Sequence, residues 1–106
     1  MKAAERIASL RTEIDKVDED LVRLLNQRAR WALQIGQSKR AMGLGVYEPE
    51  REAEIIARVA RLNDGPLSRA ALQRLFERII DESRSLERLP EEKADSDAPP
   101  DGTLAP

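Results

Sequence analysis

From Ile7 onward an apolar residue recurs every three or four positions: Ile7, Leu10, Ile14, Val17, Leu21 and Leu24, then Trp31 and Ile35. This is the spacing of the buried stripe of an α-helix. It predicts one helix from about Ala3 to about Met42, free of proline, with Gly36 as its single glycine and the glycines of GLG (43–45) as its stop. Forty residues at 1.5 Å each span about 60 Å. A globule of the ~89 residues that carry helical patterning has a radius of gyration near 12 Å and is roughly 30 Å across. About half of such a helix would protrude with its stripe bare. The expected fold is therefore an intertwined homodimer, in which the long helices pack on each other and on the partner's shorter helices.

Two shorter helices complete an all-α chain. The second should begin near Glu48. Pro49 suits a first helical position, and Glu48, Glu50 and Glu52 suit the positive end of the helix dipole. Its apolar positions are Ile55, Ile56, Val59 and Leu62, and NDGP (63–66) stops it. Ser68 should cap the third, whose stripe is Leu72, Leu75, Phe76, Ile79 and Ile80 and which fades near Leu89, ahead of Pro90. The composition agrees: 36% charged, 41% apolar and 3% aromatic, with Ala, Leu and Ile dominating the apolar set.

Cysteine and histidine are both absent, which removes disulfides, thiolate and imidazole metal sites, and any histidine-based triad or general base. No apolar run approaches a membrane span, and MKAAERIASLRTEID lacks the apolar core of a signal peptide, so the expected location is the cytoplasm. The net charge is −2. Residues 90–106 hold five acids and one lysine, so the first 89 residues carry +2, too little to suggest nucleic-acid binding by bulk charge. The chain is thus expected to divide into a helical domain (1–89) and an acidic, Pro-rich disordered tail (90–106).

Polar residues interrupt the stripes. Arg28 continues the stripe of helix one where an apolar residue belongs. Lys39, eleven residues on, lies about 20° away in azimuth and about 16 Å along the axis, so both cations share a face and two long side chains leaning together can grip one small anion. Arg11 is about 100° away from Arg28 and about 25 Å along the axis. If it serves such a site, it serves that of the other subunit. On helix three, Ser83 and Glu87 extend the apolar stripe and are four residues apart. Arg51 and Glu52 open helix two. Each residue alone also has a structural reading. Arg28 can bury its stem and keep its head in water. Lys39 and Arg51 can be surface charges, Ser83 a small packing residue, Glu87 a residue past the end of the core, and Arg11 a partner of Asp15. Gly36 is either tolerated or allows another helix to come close.

The combination resembles the all-helical chorismate mutase family. The matching pieces are LRTEIDKVDEDLVRLLNQRARWALQIGQSK, VYEPEREAEIIARV, NDGPLS and LFERIIDESRSLE, in order over roughly residues 5 to 89. The resemblance implies a cofactor-independent isomerase of the shikimate pathway and of aromatic amino acid biosynthesis, which turns chorismate into prephenate by Claisen rearrangement. It implies an intertwined dimer with two shared sites. By position, Arg28 would bind one substrate carboxylate and Arg11 of the partner chain the other. Lys39 would donate to the breaking ether oxygen and touch a carboxylate. Glu52 would accept from the substrate hydroxyl with Glu48 close by, although several relatives have Asp at that place. Arg51 would support the carboxylate cluster, Ser83 would assist carboxylate binding, and Glu87 would face the ether oxygen beside Lys39. Ile35, Ile55 and Ile80 would form apolar walls. Family members carry either Gln or Glu at position 87, and a glutamate can donate there only while protonated. In relatives the domain is often fused to prephenate dehydratase, prephenate dehydrogenase or the first enzyme of the pathway, so association with such an enzyme is also allowed. Two alternatives stand beside this reading: an isochorismate-pyruvate lyase on the same scaffold, and a non-catalytic dimerisation or regulatory module that binds chorismate-like ligands.

Overall fold

The computed structural model describes residues 2–89 and folds them into three helices, α1 (Lys2–Ala41), α2 (Pro49–Leu62) and α3 (Arg69–Glu87). No strand occurs among the described residues. The expected acidic tail, 90–106, lies outside them.

Local chemistry sets the helix ends. Past α1, Gly43 adopts φ 71°, the left-handed conformation that glycine enters without strain. This lets the Leu44 N–H reach the Lys39 carbonyl at 2.8 Å and the Gly43 N–H reach the Arg40 carbonyl at 3.1 Å, the paired bonds of a Schellman stop. Pro49 occupies the first turn of α2, where its missing N–H has no intrahelical acceptor. The Asn63 side chain organises the next turn, accepting from Gly65 N–H at 3.0 Å and donating to the Leu67 carbonyl at 2.9 Å. Ser68 caps α3 by accepting from Ala71 N–H at 3.1 Å.

By internal packing the chain divides at Arg30. In the first body, residues 2–30 of α1 leave their stripe in water: Ile7, Leu10, Ile14, Val17, Leu21 and Leu24 are all 46–57% exposed. The second body holds the last turns of α1 together with α2 and α3. There α2 packs on α3, and Ile55, Ile56 and Val59 of α2 and Leu72, Phe76 and Ile79 of α3 are half-buried. Its buried apolar residues are Ala32 and Ile80. Among the described residues no large side chain is fully buried, and no helix is long and apolar enough to cross a membrane.

Candidate active site

Lys39 is the centre of the arrangement. It is the buried charged residue of the described chain, 9% exposed, in the last turn of α1. Its ammonium group has three oxygen neighbours: Glu48 Oε1 at 2.5 Å, Glu87 Oε1 at 2.7 Å and the Val46 carbonyl at 3.2 Å. These match the three donors of an ammonium group. The partners come from separate elements. The Schellman stop turns the chain so that the 42–48 segment returns over Lys39 and delivers Val46 and Glu48, while Glu87 arrives from the end of α3. Glu48 precedes α2 without a side-chain capping bond of its own.

Burial works to lower the Lys39 pKa, but the hydrogen bonds and charges of Glu48 and Glu87 outweigh it, and the net shift is upward. Lys39 is thus an ammonium ion across the whole neutral range. The two carboxylates differ in setting: the Glu87 side chain is 13% exposed and that of Glu48 is 51% exposed.

Glu52 is half-buried and faces α3, where its carboxylate lies 3.3 Å from Arg84 Nε. Arg84 also pairs with Asp81. Ser83 is half-buried, and its hydroxyl donates to the Ile79 carbonyl at 3.0 Å. Ile35 and Lys39 line an open groove of about 520 Å³ with Trp31, Ser38 and Met42. Glu52 and Ile80 line another, of about 700 Å³, with Ile56, Gln73 and Arg84. Ile55 is half-buried and Ile80 is buried.

The structure therefore brings Lys39, Glu48 and Glu87 together. It sets Glu52 against Arg84 instead of Lys39, and it leaves Arg51 exposed, paired with Glu54 at 2.9 Å. Arg28 is half-buried and Arg11 exposed, both in the N-terminal body. Sequence reasoning missed Arg84 and Arg40, which donates to the Glu87 carbonyl at 2.9 Å. Both join elements far apart in the chain, and periodicity carries no signal for such pairs. Among the described residues no cluster of acidic side chains is arranged to hold a metal ion.

Three helices of these lengths, with a buried ammonium ion clasped by carboxylates from two further elements, define an all-α protein built around a cationic centre. Residues 10–88 match the chorismate mutase type II family, and the chain belongs to that family. It is 41% identical over 88 residues to a bifunctional chorismate mutase/prephenate dehydratase of Aquifex aeolicus, with 79% of this chain and 24% of that protein covered. A protein of the same description from Neisseria gonorrhoeae is 43% identical over 79 residues, 74% of this chain and 21% of that one. The chain thus spans about a quarter of the length of these curated relatives. The structure of chorismate mutase (form II) from Thermus thermophilus superimposes with a TM-score of 0.76 at 38% identity, covering 77% of this chain and 93% of that one.

Proposed function

We propose that this chain rearranges chorismate to prephenate as a homodimeric, cytoplasmic chorismate mutase, with residues 1–89 as the catalytic domain. The observation that carries the reading is Lys39, a buried cation paired with two carboxylates of its own chain.

In the rearrangement the ether C–O bond breaks as a C–C bond forms within one molecule. No proton or electron passes to or from the protein, which agrees with the lack of histidine and cysteine. The protein's task is to hold the folded conformer and to stabilise the charge that builds on the ether oxygen. Arg28 binds one carboxylate and Arg11 of the second chain the other, since a planar guanidinium can bind a carboxylate in bidentate fashion. Lys39 donates to the ether oxygen. Glu48, the more exposed of its two partners, releases it and turns with Glu52 toward the substrate hydroxyl. Glu87 faces the ether oxygen beside Lys39. Arg51 and Ser83 support the carboxylates, and Ile35, Ile55 and Ile80 exclude water.

The bare stripe of α1 supports the dimer. Covering the remaining half of six such side chains contributes roughly 1 kcal/mol each, or about 12 kcal/mol for two chains. That is of the same order as the cost of association, before Trp31 and Ile35 are counted. The relatives in which a mutase is fused to a dehydratase make a second enzyme of the same route a candidate partner.

The test is loss of chorismate absorbance and appearance of prephenate with purified protein. Lys39→Ala should lower kcat/KM by about 10²–10³-fold. Arg11→Ala and Arg28→Ala should each be nearly inactive, and after subunit exchange their mixture should regain activity, because one site of each heterodimer has both arginines. Absence of turnover in the wild type, with salicylate and pyruvate formed from isochorismate, would assign the lyase instead.

A further inference from the structure

Glu87 is the last residue of α3, where a helix ordinarily frays and its carbonyls lack intrahelical partners. Here three residues of α1 meet it. A Cβ at Gly36 would stand 2.6 Å from the Cα of Glu87 and 2.9 Å from its carbonyl carbon, closer still to the carbonyl oxygen, so any other residue at position 36 would push the end of α3 away. One turn along the same face, Arg40 Nη1 donates to the Glu87 carbonyl at 2.9 Å. Between them, Lys39 holds the Glu87 carboxylate at 2.7 Å.

These contacts differ in what they ask of Glu87. Lys39 grips the side chain, and in the proposed reaction Lys39 turns its charge toward substrate. Gly36 and Arg40 grip only the backbone. Neither contact involves the Glu87 carboxylate, so both can hold Glu87 at its height along α1 whichever group Lys39 serves. Arg40 also places a cation on the negative end of the α3 dipole. Its bond lies at the solvent edge, so its contribution to folding is small, yet it ties the Glu87 carbonyl directly to a side chain of α1.

We propose that Arg40, seated with Gly36, is a positioning residue that holds Glu87 in register with Lys39 for the reaction. This rests on the mutase reading, with Glu87 at the ether oxygen. A misplacement of the order of 1 Å can cost as much as about 100-fold in rate. Loss of Arg40 frees one of three tethers, so the expected drop is smaller, on the order of tenfold.

The experiment compares wild type, Arg40→Ala, Arg40→Lys, Glu87→Ala and Arg40→Ala/Glu87→Ala in the full chain, by steady-state kinetics and by amide hydrogen exchange. Arg40→Ala should lower kcat by about tenfold with KM changed less than about twofold. Arg40→Lys should recover most of the loss. In the Glu87→Ala background Arg40→Ala should add less than about twofold, because Arg40 acts through Glu87. Exchange in Arg40→Ala should accelerate at residues 84–89 and stay unchanged in the middle of α3. Unchanged exchange there, an undiminished tenfold effect without Glu87, or a loss confined to KM would overturn the proposal. The exchange readout needs no turnover, so an inactive wild type with a loosened α3 end in Arg40→Ala would sink the mutase reading while keeping the backbone seat. Gly36→Ala serves as a second variant, with the same accelerated exchange expected at residues 84–89.

Discussion

Removing the Lys39 charge should uncover how unequally its two carboxylates depend on it. In Lys39→Met the stem is kept and the cation lost. Glu87, with a side chain 13% exposed, would then be a shielded carboxylate without its counter-ion; Glu48, at 51%, would turn to water. Breaking a buried pair by deleting one partner costs about 3–5 kcal/mol, much of it the stranded charge. The cluster lies near the surface, so the low end applies, about 3 kcal/mol. For an exposed partner such as Glu48 the coupling falls to about 0–1 kcal/mol. A double-mutant cycle separates the two. Lys39→Met/Glu87→Gln should recover about 2 kcal/mol relative to the sum of the single changes, and Lys39→Met/Glu48→Gln less than about 1 kcal/mol. The assay is urea unfolding followed by far-UV circular dichroism at one fixed protein concentration, since dissociation of a dimer would otherwise enter the result. Equal couplings, or a larger one for Glu48, would refute the argument that burial ranks these contacts.

Three further outcomes follow from the same geometry. The Lys39 pKa is raised on folding, so its stabilising contribution is complete below the ordinary lysine value of 10.5 and is lost as pH rises through the higher folded value; the stability gap between wild type and Lys39→Met should be constant from pH 7 to 9 and narrow only in strongly alkaline urea titrations. Ser68→Ala removes the cap on α3 and should destabilise by about 1 kcal/mol in the same unfolding assay, with kcat unchanged. If Glu87 faces the ether oxygen, Glu87→Ala should lower kcat/KM by about 10²-fold whereas Glu87→Gln, which keeps a hydrogen-bond donor there, should retain activity; equal losses in the two variants would remove this role.

How much of this could be read in the sequence depended on the distance between the groups that interact. The stops and caps were legible because GLG, Pro49 and Ser68 act on their own neighbours. The ends of α1, α2 and α3 fall within two residues of the expected ones. Glu87 was expected beside Lys39 only through the family resemblance; periodicity marked each as a polar residue on or beside an apolar stripe, not as partners. The Arg84–Glu52 bridge was not, since helical spacing reveals which residues share a face but not which face meets which. The Arg51–Glu54 pair is a local i,i+3 contact of the kind that charge spacing alone offers. Gly36 allowed two readings, and the backbone of Glu87 against it selects close approach of another helix.

On the proposed mutase reading, the balance of charge at Lys39 bears on how the site would accept a dianion. An ammonium ion shielded to this degree and left alone would lower its pKa to escape its charge. Glu48 and Glu87 prevent that, but together they carry more negative charge than Lys39 carries positive, and an anionic ligand approaching the cluster would be repelled. Entry under that reading would require one carboxylate to move aside. The geometry points to Glu48, whose side chain is half exposed and would regain water, whereas the backbone of Glu87 is held against Gly36 and Arg40. Release of Glu48 would then free a donor of Lys39 for the ether oxygen, with Glu87 still beside it. On the proposed reading, the same two carboxylates that raise the Lys39 pKa would also set the conditions under which it acts.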